Sequence, residues 1–130
     1  MRNKFVIRLM SLIPCILLGL VSYQWFTDPV TTALGFGIDY EAMSNHGQNS
    51  LFRDFTAFFM GTSIMCFLSL ITKQFQWILC AGIIFFIAAV FNVISSFSHG
   101  APIVFSALVS EILFTMIAVS ASLIYKSNKL

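Results

Sequence analysis

Four long apolar segments follow one another along the chain, and only short polar stretches separate the last three of them. The segments cover residues 5–26, 51–72, 75–98 and 102–125. Each is long enough to cross the hydrocarbon core of a membrane as an α-helix, which takes about 20 residues. Their length and their lack of polar–apolar alternation exclude strands. The pattern therefore predicts one all-α domain over residues 1–130, an integral membrane bundle of four antiparallel helices.

Composition agrees with a membrane protein. Of the residues, 58% are hydrophobic and only 9% are charged, whereas about a quarter are charged in a soluble domain. The net charge of +2 and the absence of a basic stripe with interleaved aromatic residues argue against nucleic acid as a partner. The three cysteines form no CxxC pair and no zinc-binding pattern with histidine. We therefore expect no metal and no cofactor.

The first apolar segment begins with basic residues, as a secretory signal does. It is long, however, and no small-x-small cleavage site follows it, so we interpret it as a retained transmembrane helix. Pro14 is expected to kink this helix, which neighbouring helices can accommodate. Tyr23, Trp25 and Phe26 at its end are typical of an aromatic belt at the membrane interface.

The connection 27–50 is the only long one. Asp-Pro at 28–29 is typical of a helix start, with Asp as the N-cap and Pro at the first helical position. A short interfacial helix is therefore predicted from residue 30 to about residue 35. Residues 46–50, His-Gly-Gln-Asn-Ser, are predicted to form a turn whose last two residues cap the second transmembrane helix.

The basic residues that flank the segments predict the orientation. Only Arg53 lies on one side of the predicted membrane. The other six lie on the opposite side: Arg2, Lys4, Arg8, Lys73, Lys126 and Lys129. By the positive-inside rule both termini are cytoplasmic. The acidic connection 27–50 and the tight turn at 99–100 then face the exterior.

Glu111 is the only carboxylate inside an apolar segment, and it lies close to the middle of the membrane, roughly 14 Å from Pro102 along the helix. A helical projection places it on one stripe with small and hydroxylated residues: Ala107, Thr115, Ala118 and Ser122. Small residues let helices approach closely in lipid, so Glu111 is predicted to face the bundle. Burial without a strong partner favours the neutral carboxyl. We expect Glu111 to be protonated at neutral pH unless Arg53 reaches it.

The other helices carry comparable stripes. Asn92, Ser95 and His99 share a face of the third segment, with Ser96 beside them, and Asn92 is the nearest expected partner of Glu111. The second segment has a stripe of Arg53, Ala57, Gly61 and Ile64, with Asp54 expected to point elsewhere because adjacent residues do not share a face. Together these residues predict a ligand pocket that opens to the exterior. It is lined by Arg53, Asn92, Ser95, Ser96, His99 and Glu111.

A structural alternative exists for each of these side chains. The serines and Asn92 also suit interhelical hydrogen bonds that hold a membrane bundle together. His99 equally suits a turn at the membrane edge. Glu111 is the residue for which a functional role is the default, because an ionisable group at that depth is expensive to bury.

The layout resembles a known family. The residues that carry the resemblance are Asn49-x3-Arg53, the small residues Ala57 and Gly61, the short turn at 98–102 and the glutamate Glu111 in the fourth helix. They are similar to a bacterial family of unknown function with a DoxX-like helical layout. The resemblance implies an uncharacterised bacterial inner-membrane protein and brings no established activity.

Three functions remain open at this point. The first is a non-enzymatic binding or accessory protein whose pocket takes a membrane lipid or a small apolar ligand, alone, as a homo-oligomer or with a membrane partner protein. The second is a proton-coupled transporter subunit in which Glu111 exchanges a proton, which would require a dimer. The third is an intramembrane isomerase with Glu111 as general acid and base, for which only Arg53 and His99 offer a second charged group.

Overall fold

The computed structural model describes residues 2–127, with side chains from residue 4 onward. Within these residues the chain forms five helices and no strand, which confirms the predicted all-α class. The helices are α1 (Arg2–Thr27), α2 (Pro29–Gly35), α3 (Asn45–Thr72), α4 (Phe75–His99) and α5 (Phe105–Ser127).

Four of these helices, α1, α3, α4 and α5, are long and apolar enough to cross a membrane. These four helices indicate a multi-pass membrane protein. Helix α1 continues through Pro14. The orientation of the termini stays a prediction, and two of the groups behind it, Lys129 and the side chain of Arg2, lie outside the described residues.

The short helix predicted after Asp28 is confirmed as α2, whereas its position at the interface stays a prediction. Pro29 occupies its first position, and the Asp28 carboxylate accepts a hydrogen bond from the backbone N–H of Thr31 at 3.1 Å. The Thr31 side chain and this backbone N–H both stabilise the charged carboxylate, so they hold the pKa of Asp28 below its usual value. Asp28 is thus a charged N-cap that satisfies one of the free amides at the helix start.

The predicted turn at residues 46–50 is wrong, because α3 already begins at Asn45. The cap is Ser44, whose Oγ accepts a hydrogen bond from the backbone N–H of Gly47 at 3.2 Å, and not Asn49 or Ser50. The polar residues that suggested a turn form the first turns of the helix. Polar composition alone does not distinguish a turn from an exposed helix start once a serine satisfies the first free amides.

The chain divides into two compact units. The first unit comprises Met1–Pro14 and Met65–Leu130, and the second comprises Cys15–Ile64. The first unit thus contains the first half of α1, the last eight residues of α3, and the whole of α4 and α5.

Helices α4 and α5 of the first unit pack against each other in antiparallel orientation. The Phe85 and Phe114 rings stack at 5.0 Å between centroids. One turn earlier on α4, Gly82 lies so close to α5 that a Cβ at this position would be 2.7 Å from the Cβ of Ala118. Contact partners thus move back along α4 as they move forward along α5. The absent side chain of Gly82 allows the close approach that stabilises helix pairs in lipid.

Three buried hydroxyl groups join α1, α3 and α5 in the first unit. The hydroxyl oxygens of Ser11 and Tyr125 are 3.1 Å apart, and Ser69 donates to Ser11 at 3.3 Å. Ser69 also lies 2.7 Å from the backbone oxygen of Cys66. We call Ser11, Ser69 and Tyr125 the hydroxyl cluster. Because each of these three hydroxyls has a partner, none of the three is left unsatisfied in an apolar interior, and the hydroxyl cluster holds the helices together.

In the second unit, residues 15–22 of α1 run antiparallel to residues 56–63 of α3. Ser63 Oγ donates to the backbone oxygen of Cys15 at 2.6 Å, and Ser22 Oγ donates to that of Thr56 at 3.4 Å. Both serines are short enough to bridge the two backbones directly, so they act as the interhelical hydrogen-bonding groups that lipid-embedded helices use.

The prediction that Trp25 belongs to an interfacial belt is wrong. Trp25 is instead the centre of the second unit's aromatic core. It is 0% exposed, and its ring centroid lies 4.8 Å from that of Phe55 and 5.7 Å from that of Phe36. Tyr23 and Phe26 are exposed, in agreement with the belt. The difference arises because the chain after α2 brings Phe36 back onto the face of α1 that carries Trp25.

Candidate functional site

Glu111 faces α4, as the helical projection predicts. On its stripe Ala118 and Ser122 are buried, and Ala107, Glu111 and Thr115 are half-buried. Its carboxyl oxygen Oε2 is buried and has no hydrogen-bond partner. A carboxyl oxygen without a partner is uncommon among buried polar groups and calls for an explanation.

Asn92 on α4 is the polar side chain that interacts with the Glu111 carboxyl, which confirms their predicted proximity. Asn92 has a second role that the sequence did not suggest. Its Oδ1 accepts from the backbone N–H of Val104, and its Nδ2 donates to the backbone oxygen of Val104, both at 3.1 Å. Nδ2 carries two hydrogens, so one remains for the carboxyl of Glu111.

The bonds between Asn92 and Val104 also explain why the last helix starts later than predicted. The apolar segment starts at residue 102, but the helix starts at Phe105. The Asn92 amide engages both backbone groups of Val104 and so holds residues 101–104 as a non-helical connection. Asn92 therefore fixes the end of the α4–α5 turn, which is the structural role considered for it above.

The remaining α4 candidates lie along the same end of the helix. Ser95 is half-buried and donates to the backbone oxygen of Asn92 at 3.0 Å, so its hydroxyl is used within α4. Ser96 is half-buried, and His99 is the exposed last residue of α4. Gly100 ends the helix in a left-handed conformation with φ of 66°. His99 is therefore a turn residue, in line with its structural alternative.

Arg53 belongs to the second unit, and its partner there is a neighbour in sequence. Its Nε lies 2.9 Å from Oδ1 of Asp54, and the two side chains are 64% and 66% exposed. The two side chains meet although adjacent residues do not share a helix face, because the long arginine side chain reaches along the helix surface to Asp54. Among the predicted site residues the structure thus brings Asn92 and Glu111 together, and it leaves Arg53 paired with Asp54.

The predicted inward stripe on the second transmembrane helix is also wrong. Arg53, Ala57 and Ile64 are exposed, whereas the buried positions of α3 are Thr62, Cys66 and Ser69. Thr62 returns its hydroxyl to the backbone oxygen of Phe58 at 2.8 Å. These three positions are spaced by four and then three residues, as expected for one face of a helix. A projection that started from the hydroxyl-bearing residues, and not from Arg53, would have predicted this buried face.

An apolar groove of about 560 Å³ lies between α4 and α5. We call it the α4–α5 groove. Its lining consists of Phe86, Ala89, Val90, Val93, Ile94, Leu108, Ile112, Thr115 and Met116. The one polar side chain, Thr115, donates its hydroxyl to the backbone oxygen of Glu111 at 2.7 Å. The groove thus presents hydrocarbon and no available hydrogen-bonding side chain.

A smaller cavity of about 290 Å³ lies in the second unit between α1 and α3. It is lined by Gly19, Ser22, Tyr23, Phe26, Met60, Ser63 and Ile64. Neither lining includes Arg53, Asn92, Ser95, Ser96, His99 or Glu111, so the predicted polar pocket corresponds to neither cavity. Asn92 and Glu111 instead lie next in sequence to groove residues, one on each helix.

The side chains that could bind a metal ion do not form a metal site among the described residues. Within the described residues, no set of three or more His, Cys, Asp and Glu side chains lies close enough to hold a metal ion. The cysteines are free thiols: Cys66 is buried, Cys15 is half-buried, and Cys80 is exposed. Cys80 thus lies on the outer face of α4.

Comparison of this chain with protein-family models, with curated proteins and with solved structures finds no match. The resemblance to a DoxX-like family stays a prediction, and a function must be argued from the geometry of Glu111, Asn92 and the α4–α5 groove.

Proposed function

We propose that this protein is a non-enzymatic membrane protein that binds a lipid acyl chain or a small apolar molecule in the α4–α5 groove. The observation that supports the proposal is the groove itself. Its volume of about 560 Å³ lies within the range of roughly 300–1,000 Å³ that small-molecule sites occupy. Its apolar lining suits a hydrocarbon chain and offers nothing to a polar substrate.

The polar and the apolar residues have different roles in this proposal. Val93 and Ile112 line it, and their sequence neighbours Asn92 and Glu111 form the polar contact between the same two helices. A ligand in the groove thus lies against the same two helices that this polar contact joins. In this proposal Asn92 and Glu111 position the groove walls, and the ligand is held by packing.

The setting of the proposed function follows from the sequence. The four long helices form an antiparallel bundle in a bacterial inner membrane, with both termini cytoplasmic, as the basic residues and the DoxX-like layout suggest. In this setting the protein binds its ligand alone, as a homo-oligomer or with a membrane partner protein. The groove then lies in the half of the bundle toward the exterior, because its α4 residues approach the His99 end.

Photolabelling tests the groove. Vesicles of phosphatidylcholine that contain a diazirine-bearing acyl chain are irradiated with the protein, and the labelled residues are mapped by mass spectrometry. We expect labelling of groove residues to exceed that of equally exposed residues elsewhere, such as Ile13 and Ile16 on α1, which are 49% and 51% exposed. Labelling that follows exposure alone along every helix would refute the proposal.

A matched pair of variants tests whether the groove shape matters. Val90 lines the groove and is 36% exposed, and Val119 lies outside its lining and is 40% exposed. Val90→Trp fills the groove and is expected to remove the excess labelling, because the indole occupies the space of the chain. Val119→Trp adds the same bulk on the outer surface and should leave it unchanged. Equal effects of both substitutions would contradict a defined site.

One observation favours the second function, the proton-coupled transporter. The unpartnered Oε2 of Glu111 is the kind of buried ionisable group that marks proton relays in membranes. The intramembrane isomerase has no such support, because His99 is exposed and Arg53 is paired with Asp54 in the other unit.

Glu111→Gln separates binding from transport, since glutamine keeps the size and hydrogen bonding of the side chain but cannot exchange a proton. Under the proposed function the variant retains the excess labelling of the groove, and wild type and variant vesicles dissipate a pH gradient at the same rate. The rate is measured with a trapped pH-sensitive dye. Faster dissipation by the wild type than by Glu111→Gln would make the transporter the better interpretation.

A further inference from the structure

Charge is divided unequally between the two units. Six of the seven Lys and Arg residues belong to the first unit, and four of the five carboxylates belong to the second. Of the six cations, the described and exposed ones are Lys4, Arg8, Lys73 and Lys126. We call the end of the first unit that carries these four residues the basic end.

The hydroxyl cluster places three of these cations at one level. Arg8 precedes Ser11 by three residues, Lys73 follows Ser69 by four, and Lys126 is next to Tyr125. At 1.5 Å per residue, each cation lies within roughly 6 Å of the cluster along its helix. The hydrogen bonds among Ser11, Ser69 and Tyr125 therefore hold the cationic ends of α1, α3 and α5 side by side.

Helix α4 begins at the same end. The Nζ atom of Lys126 lies 5.8 Å from the centre of the Phe75 ring, within the range of a cation–π interaction. Trp77, one turn from Lys73, is 36% exposed, and its Nε1 donates to the Gln74 side chain at 3.2 Å. An exposed tryptophan with a satisfied N–H beside lysines is typical of the depth of the lipid headgroups.

No carboxylate of the protein neutralises the basic end within the described residues. Among the described residues, the one salt bridge joins Arg53 to Asp54, and both of these residues belong to the second unit. Glu111 is the single Asp or Glu of the first unit, and it lies roughly 22 Å from Lys126 along α5, too far away to form an ion pair with the basic end. Three cations at one level, without an ion pair among the described residues, attract anions at the membrane surface.

We infer that the basic end binds the headgroup of an anionic phospholipid, with Arg8, Lys73 and Lys126 around the phosphate. Anionic lipids are the abundant anions at this depth, and basic clusters at helix ends attract them. The chain of the same lipid can lie along the exposed apolar surface of α1 that follows Arg8, where Leu12 is 38% exposed. This site is separate from the α4–α5 groove and stands or falls independently of it.

Tryptophan quenching by brominated lipids tests the inference. The full chain is reconstituted in phosphatidylcholine vesicles that contain an equal fraction of brominated phosphatidylglycerol or brominated phosphatidylcholine. Trp77 reports on lipid at the basic end, whereas Trp25 is 0% exposed and contributes a constant background. We expect the anionic lipid to quench more strongly. Equal quenching by the two lipids would overturn the inference, and Trp77→Phe verifies that Trp77 is the source of the signal.

Two double variants separate charge from shape. Lys73→Gln with Lys126→Gln should lower the preference for phosphatidylglycerol by about fivefold for each cation removed. Lys73→Arg with Lys126→Arg keeps both charges and should retain the preference. The thermal midpoint in pure phosphatidylcholine shows whether either variant is folded. If both folded variants bind the two lipids alike, the basic end is only a topological signal and no lipid site.

Discussion

Trp25→Ala is expected to lower the free energy of unfolding by about 3–5 kcal/mol, the usual range for truncating a buried tryptophan. The indole is 0% exposed and contacts the rings of Phe36 and Phe55. In lipid the loss comes mainly from packing, because hydrocarbon surrounds the helices in any case. The void would separate α1 from the chain segment that carries Phe36. Thermal or denaturant unfolding in one detergent measures the change.

Two further substitutions make this prediction specific. Trp25→Phe keeps a ring in the core and removes an indole N–H that has no partner, so it should cost much less than alanine. Phe26→Ala on the same helix removes a side chain that is 66% exposed and should change the free energy of unfolding by no more than about 0.5 kcal/mol, as exposed substitutions commonly do. A cost for Phe26→Ala as large as that for Trp25→Ala would contradict the assigned burial.

Gly82→Ala is expected to destabilise the α4–α5 pair by about 1–3 kcal/mol, the range for overpacking. A Cβ at Gly82 would lie 2.7 Å from the Cβ of Ala118. That atom is attached directly to the backbone of α5 and cannot rotate away. The helices must therefore move apart, which also weakens the contact between Phe85 and Phe114. The thermal midpoint and the photolabelling of the α4–α5 groove report on the two consequences.

Rescue and a matched glycine make the test decisive. Adding Ala118→Gly to Gly82→Ala removes the clashing atom and should restore most of the stability, as non-additivity at a direct contact requires. Gly61→Ala on α3 meets no atom within 4 Å and should be neutral or stabilising by up to about 1 kcal/mol, because alanine favours the helix more than glycine does. A similar loss at both glycines would show that the close approach of Gly82 to Ala118 is not the cause of the loss.

The sequence was sufficient for features that depend on local chemistry and on one helix at a time. Length and hydropathy predicted the four long helices, and Asp28 with Pro29 predicted α2. The projection of a single helix placed Glu111, Thr115 and Ala118 on the inward face of α5. These predictions succeed because hydrogen bonding within a helix is local and because a carboxyl at membrane depth must avoid lipid.

Contacts between residues far apart in the chain were decided only by the tertiary structure. Trp25 became core because Phe36 returns onto α1, and Ser11 meets Ser69 and Tyr125 because three helix ends converge. An apolar segment in a membrane has similar hydrophobicity on its lipid-facing and its buried sides, so its pattern does not show which face meets a neighbour. Arg53 illustrates the same limit, since its long side chain bends to Asp54 and leaves the face predicted from its helical position. Sequence therefore determined which segments are helices and where the charges lie, whereas packing determined which side chains meet.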